Sequence, residues 1–503
     1  MESLTLALSF LLSAFILFKL LSNAKHKSNS SSKYLNLIPG PKRLPMIGTL
    51  HLHAGDSPPH HVFRDLSRKH GPLMRVQLGE LPFLIVSSVE VAKEVLRTHD
   101  VAYSNRPPGL AAEAFSYNYT GIGMAPYGES WRILKKICTV ELLSMKRVRA
   151  FRHIRQEETI NLAKRIAALQ GSPVNVSDEG HLLAYDIVTR ASVRTKTEDR
   201  LTIIHMIKKL SNFGAQFNVA DLYPSIKLLP FLTGIQFKIQ KMHRKMDAMF
   251  ESIIAEHRAA AGAVNEYEDL LDTLIKCQEG SELPSNNDAI KAVLLDMFLA
   301  GSETSAAVIE WAMSEMVKNP HTLKKAQEEV RKVFDETGYV DEERFGELKY
   351  LGLVIKETMR LHAPLPFLVP RVNTQRCTLN GYEVPMNTRL IVHVWALGRD
   401  PKYWPHPEKF MPERFEGASV DYTGNDLEYL PFGSGRRLCP GISFGAANLH
   451  SSLATLLYHF DWKPAHGLRH EDLDMTEAFA VTIRRKNDLL LIPTLARPLK
   501  VVE

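Results

Sequence analysis

The chain has 503 residues, 45% of them apolar, enough to bury a large core as one big domain or two. Its net charge of +6 is a mild excess over 62 basic and 56 acidic residues, and no basic run with interleaved aromatics appears, so nucleic acid is not an expected partner. Four scattered cysteines (Cys138, Cys277, Cys377 and Cys439) with no C-x-x-C pair exclude a zinc or disulfide framework and suit a reducing compartment.

Residues 4–21 are almost wholly apolar. As a helix they reach about 27 Å, enough for a thin bilayer. No basic region precedes this run and no small-x-small cleavage site follows, so residues 1–21 read as a retained anchor rather than a signal peptide. Lys19, Lys25, Lys27 and Lys33 come after most of it, which leaves the bulk of the chain on the cytoplasmic side, with the sequons at Asn29, Asn118 and Asn175 unglycosylated. Residues 22–48 form a polar linker ending in a stiff hinge, Pro39-Gly40-Pro41 with Pro45 and Gly48. Residues 49–503 read as one large unit. Within it His51, His53, His60 and His61 read as a solvated histidine-rich loop rather than a metal site.

Strands are expected over 73–78, 83–86 and 389–395. Helical periodicity covers 149–170, 236–260, 286–318, 321–335 and 343–362, followed by an apolar helical pattern from 442 to 460. The fold class is therefore mainly α with a minor β-sheet part (α+β). No dinucleotide or nucleophile-elbow motif survives scrutiny: Gly121-Ile122-Gly123 lacks the third glycine, and Ser434 lacks the spacing. Electrons for any redox chemistry must come from outside the chain.

The most informative stretch runs from Phe432 through Gly435, Arg436, Arg437 and Cys439 to Gly441. A cysteine between cations and a helix start has the features of a thiolate metal ligand. Two glycines allow close backbone approach to a flat macrocycle. Arg437 can pair with a haem propionate, and Phe432 can shield the sulfur. Upstream, Ala300-Gly301-Ser302-Glu303-Thr304 interrupts a long apolar helix. The Thr304 hydroxyl can bond the Ala300 carbonyl, and Ala300 and Gly301 leave room beside it. Glu357 and Arg360 share a helix face before Pro364 ends the helix, and Arg414 follows about fifty residues on.

These motifs, in this order, resemble the cytochrome P-450 family: F-x-x-G-x-R-x-C-x-G around Cys439, A/G-G-x-D/E-T at Ala300, E-x-x-R at Glu357, and W-x-x-x-R at Trp131, where Lys135 stands in place of the usual arginine. The resemblance implies the cytochrome P-450 fold and haem b with Cys439 as the axial ligand. It implies that Arg437, Trp131 and Lys135 position the haem. Thr304 and Glu303 would manage dioxygen and protons on the distal side, and a Glu357–Arg360–Arg414 network would hold the loop before Cys439. A membrane-bound reductase would deliver electrons from NADPH, docking near Arg436 at the endoplasmic-reticulum membrane.

Pocket-lining positions carried over from the family are Leu110, Phe115, Leu295, Phe298, Leu299, Leu365, Phe367, Val369, Phe479 and Val481. They are apolar, which implies a small apolar substrate, although many can equally be plain core. Segments such as 300–316 and 472–494 resemble plant microsomal members of the A-type clan, closest to a group rich in terpenoid hydroxylases. The expected activity is therefore oxidation of a hydrophobic plant metabolite, a terpenoid first, with an alkaloid or flavonoid as alternatives. A haem-thiolate isomerase or a non-catalytic haem scaffold would not need the intact Glu303-Thr304 pair. One departure from relatives, Val193-Arg194 where Phe-Gly is common, is expected to affect local packing only.

Overall fold

A computed structural model describes residues 30–194, 197–214, 218–260 and 267–500. The expected anchor over 1–21, and the linker as far as residue 29, lie outside the described residues. In chain order the principal elements are helix α1 (Pro59–His70), strands β1 (Leu73–Leu78) and β2 (Leu81–Val86), and helices α2 (Glu129–Lys136), α3 (Arg152–Ala167) and α4 (Val176–Ser192). Helices α5 (Ile235–Ala259), α6 (Leu270–Glu279), α7 (Asp288–Lys318), α8 (Pro320–Phe334) and α9 (Lys349–Leu361) come next. Strands β3 (Arg371–Val372) and β4 (Arg389–Val392), helix α10 (Ile442–His459) and a hairpin of β5 (Glu477–Phe479) and β6 (Ile483–Arg485) complete the set.

Helix α7 organises the helical layer. It is apolar on nearly every face, the pattern of a helix surrounded by protein. Its length and hydropathy would suit a membrane span, yet 67% of its most apolar window is buried inside the protein, against α4, α8, α9 and α10. The main sheet has the order β1–β2–β4–β3, with β2 and β4 parallel and the other pairs antiparallel. The proline-rich segment is fastened to its edge. The Arg75 N–H donates to the Pro39 carbonyl at 2.7 Å and the Thr49 N–H to Gln77 at 2.6 Å. Leu35 and Ile38 are buried in the same core.

Several boundaries differ from the sequence pattern for local reasons. The helix expected over 149–170 breaks at Phe151 between Met145–Ala150 and α3. The one expected over 343–362 begins as a 3-10 turn, Glu342–Glu347, before α9. The strand expected to run to Trp395 ends at Val392, because Val394–Leu397 turns into a helix. His60 and His61 are not in a solvated loop. They open α1 behind a proline at its first turn, and His60 is fully buried. Arg194 does more than pack locally. It pairs with both carboxylate oxygens of Asp272 at 2.5 and 3.0 Å, and its N–H donates to Asp269 at 2.9 Å. Asp269 and Asp272 form the capping box of α6, so Arg194 ties the end of α4 to the start of α6.

Glu357 and Arg360 pair as their i,i+3 spacing suggests, Arg414 joins them as the family resemblance implies, and all three side chains are buried. Arg360 pairs with both Glu357 oxygens at 2.7 and 2.9 Å, and Arg414 reaches one of them at 2.9 Å. The spare guanidinium N–H groups donate to carbonyls of Gly398, Pro405, Pro407 and Lys409, and the Met411 N–H donates to Glu357. Removing one partner leaves an uncompensated buried charge, a loss of about 3–5 kcal/mol. Arg360→Ala and Glu357→Ala are therefore expected to unfold at markedly lower denaturant and to purify depleted of haem. Full haem content in either variant contradicts this.

Candidate active site

The loop before α10 is built by backbone geometry. Gly435 sits at φ 72°, and a Cβ there would lie 2.6 Å from Asp100 Oδ1 and 2.9 Å from the Leu96 carbonyl, so only glycine fits. Gly441 has φ −88°, an ordinary value, and its backbone makes no such demand. The Cys439 N–H donates to the Phe432 carbonyl at 3.0 Å, and the Gly441 N–H donates to Cys439 Sγ at 3.3 Å. Burial pushes the Cys439 thiol up, outweighing the Gly441 N–H and Lys135, which pull it down. Lys135 and the Gly441 N–H thus do not offset burial, and a metal ion held by Cys439 would favour the deprotonated sulfur. Phe432 is half-buried against Tyr422, with ring centroids 5.5 Å apart, and also lies beside Gly445.

Three cations converge beside this loop. Arg437 donates to the carbonyls of Ser104 (2.8 Å), Ile122 (3.1 Å) and Ala125, and lies over the Trp131 ring at 4.5 Å. The Trp131 indole N–H also donates to Ile122, at 3.1 Å. Lys135 donates to the carbonyl of Leu438, next to the cysteine, at 2.5 Å. Arg106, which sequence reasoning missed, donates to the carbonyls of Gly123 (3.2 Å), Val369 (2.6 Å) and Pro370 (3.2 Å). Among the described residues none of the three has a carboxylate partner. Burial and then its arginine neighbour lower Arg437 to about 10. Burial and the nearby Arg371 and Arg437 push Arg106 well down, and burial lowers Lys135. Inward-facing cations with no counter-charge fit a cofactor carrying two carboxylates, which haem has.

Across from the loop, α7 presents an open stripe. Asp296, Met297, Ala300, Gly301 and Thr304 are not buried, whereas Leu295, Phe298, Ser302 and Glu303 are. The open positions recur at i and i+4, one helix face. The two walls share an edge: the Ile122 carbonyl accepts from Arg437, while the N–H of the next residue, Gly123, donates to Asp296 at 3.0 Å. The Thr304 hydroxyl donates to the Ala300 carbonyl at 2.5 Å, as its position suggested. Gly301 does not make room for a small molecule. A Cβ there would come within 3.0 Å of Val188, so the missing side chain lets α4 pack closely. Glu303 turns away from the stripe and is paired with the Tyr185 hydroxyl and with Arg484. Burial and Glu303 push the Tyr185 hydroxyl up, so it stays a donor.

The expected pocket residues divide. Leu295 and Phe298 belong to the core, Phe298 stacking on Phe250 at 6.0 Å, which corrects their assignment. Both lie on the side of α7 that packs into the core rather than on the open stripe of Asp296, Ala300 and Thr304. Leu110, Phe115 and Leu299 are half-buried against the same core. Phe367 contacts Phe63 and Phe479, with centroids 5.5 and 6.2 Å apart. Leu365 is half-buried, and Val369 and Val481 are exposed.

The fold is one already seen in solved structures. A zebra fish cytochrome P-450 solved with progesterone superposes with a TM-score of 0.75 over 87% of this chain and 100% of that one, at 24% identity, which shows the fold. The cytochrome P-450 family model matches residues 38–491, and the chain belongs to that family. It is 46% identical to desmethyl-deoxy-podophyllotoxin synthase of Sinopodophyllum hexandrum over 99% of both chains. It is 47% identical to premnaspirodiene oxygenase of Hyoscyamus muticus over 97% of this chain and 98% of that one. The chain is a monooxygenase whose cofactor is haem held through a cysteine thiolate.

Asp296 yields a pH prediction. Although its side chain keeps some access at the open stripe, enclosure by the surrounding protein raises its carboxyl from an ordinary 3.8 to about 6, against the Gly123 and Ile122 N–H groups. Between those values the folded protein holds a proton that the unfolded chain has released, so stability falls as pH rises from about 4 to about 6, by about 3 kcal/mol. Asp296→Asn keeps an oxygen for both N–H groups and is expected to flatten that slope in unfolding measurements across pH. An unchanged slope contradicts it.

Proposed function

We propose that this chain oxidises a hydrophobic terpenoid, with Cys439 as the thiolate ligand and Arg437, Arg106, Lys135 and Trp131 holding the haem propionate edge. The observation that carries the site assignment is the cluster of inward cations beside a deep but open cysteine. Haem bound there supplies the redox chemistry that activates dioxygen, one oxygen atom entering the substrate and the other leaving as water with two electrons and two protons. The chain's own contribution is positional. Thr304 holds a hydroxyl on the open stripe, and Glu303, one residue before it, is a carboxylate kept in place by Tyr185 and Arg484. The apolar residues Leu110, Phe115, Leu299, Leu365, Phe367 and Phe479 support an apolar ligand. Residues 1–21 anchor the protein in the endoplasmic-reticulum membrane, with residues 49–503 as the cytoplasmic catalytic unit. The reductase docks at the face bearing Arg436, which is 44% exposed and 3.6 Å from Asp100.

The test uses microsomes with this chain and a plant reductase, offered pooled mono-, sesqui-, di- and triterpenes with NADPH. A one-oxygen mass gain that requires NADPH supports the reading and identifies the terpene size. No product, with an intact thiolate signal in the reduced carbon-monoxide spectrum, rejects the terpenoid class and directs the search to phenolics and alkaloids. Thr304→Ala is expected to keep that spectrum and its haem content while product formation falls by about 10²-fold. Unchanged turnover contradicts the role given to Thr304.

A further inference from the structure

Strand β5 begins at Glu477, a buried carboxylate with no part in the oxygen chemistry. Its two oxygens are served differently. Oε1 faces the Trp395 indole N–H at 3.4 Å, His362 Nδ1 at 3.5 Å and an Arg399 guanidinium nitrogen at 3.9 Å. Oε2 faces Nε2 of His60 at 2.6 Å and Nε2 of His61 at 2.9 Å. The His60 side chain is fully buried and that of Glu477 nearly so, while the His61 ring is 34% exposed. Two imidazole nitrogens thus converge on one carboxylate oxygen, with one ring open to solvent.

We propose that His60, His61 and Glu477 form a binding site for one divalent transition-metal ion of the zinc class. The donor set, two imidazoles and a carboxylate, is one that zinc accepts with a fourth position left for water. The three donor atoms lie within 4.8 Å of one another. Bond lengths of about 2.0–2.2 Å place tetrahedral ligands about 3.3 Å apart, so the two N–O gaps need only open by less than about 1 Å. Each neutral imidazole ligates through Nε2 as its Nδ1–H tautomer, so the proton on Nε2 is exchanged for one on Nδ1, no net proton is released, and nothing is oxidised or reduced. The contacts on Oε1 orient the carboxylate and leave Oε2 to the imidazoles, as outer contacts do at metal sites.

The protonation states suit ligation. Burial lowers His60, against Glu477, which keeps that imidazole neutral. Glu477 is held well below the usual carboxylate range, the hydrogen bonds from His362, His60 and His61 outweighing its burial. The charged and titratable groups around the site are His362 (itself paired with Glu315), Arg399 (paired with Glu408), Arg64 over the Trp395 ring, and the buried neutral His393. Two of these are cations near Oε1, so affinity is moderate rather than that of a structural zinc centre. A second histidine–carboxylate group, His257 with Asp269 and Asp272, is a weaker candidate. Both His257 ring nitrogens already have partners, and Asp272 is held by Arg194. A cation on His60, His61 and Glu477 would fasten α1 to the root of the hairpin that carries Phe479.

The experiment takes full-length, tag-free, haem-loaded protein in detergent and dialyses it against zinc chloride, counting bound metal by atomic emission. Wild type is expected to bind one zinc per chain in the micromolar range, with excess magnesium failing to compete. His61→Ala leaves the buried His60–Glu477 pair intact and is expected to weaken zinc binding at least tenfold with the haem spectrum unchanged. Added zinc should also raise the melting temperature of wild type and not of H61A. No zinc on wild type, or equal binding and equal melting shifts in both proteins, overturns the site.

Discussion

A carboxylate with no solvent at all, Glu357, sits between two guanidinium groups behind the cysteine loop. Taking these three charges out of water is costly, and their mutual attraction offsets that cost only because most of the remaining donors find backbone oxygens. Those oxygens belong to residues 398–409, a stretch with little regular structure and hence few backbone partners of its own. The hub therefore does for this segment what a strand ladder does elsewhere. Its order passes along the chain through Trp404, Phe415 and Tyr429, whose rings pack 5.2–6.2 Å apart, and the Tyr429 hydroxyl returns to the Lys356 carbonyl at 2.8 Å. Three residues beyond Tyr429 lies Phe432, whose carbonyl receives the Cys439 N–H. The sulfur is thus placed by a charge cluster that never touches it.

The opposite wall depends on a single rod. Along α7, Asp296 receives the 122–123 loop, Gly301 admits α4, Glu303 takes Tyr185 and Arg484, and the Trp311 indole donates to the Ile483 carbonyl while stacking on His362. Because these contacts leave different faces of a helix 31 residues long, none can shift without moving the others. Thr304 inherits its position from that set. The same logic explains why a glutamate and a threonine are tolerated in so apolar a helix: each has an assigned donor or acceptor.

What could be read from the sequence was what lies close together along it. Strand β1 matches residue for residue, α7 is displaced at one end only, and the cysteine loop and the Glu357–Arg360 pair are short-range signatures. Partners distant in the chain were not legible. Tyr185 and Arg484 lie 118 and 181 residues from Glu303, and nothing in their neighbourhoods announces the meeting. Arg106 sits in a proline-flanked loop where a basic residue is ordinary until the fold sets it beside Arg437. Asp296 was within reach, since it lies two helical turns before Thr304 on the same face, but an apolar tally of the helix passes over a single carboxylate. His60 was hidden because it sits beside a second histidine behind two prolines, a stretch that reads as a loop, and only tertiary packing shows that it is enclosed.

The two sides of α7 also differ in how they handle water. Toward the cysteine loop the open stripe is mostly small or apolar, so a ligand there is desolvated and held by shape. On the far side, a cavity of about 140 Å³ is lined by Ser177, Asp178, His181, Lys208, Glu310 and Arg484, nearly all polar or charged. Arg484 belongs to this cavity and at the same time pairs with Glu303. The buried Glu303 side chain is thus held by one tyrosine and by an arginine that also reaches a polar surface cavity. The fold thereby fixes a carboxyl group one residue from Thr304 on a different face of α7 from the open stripe on which Thr304 lies.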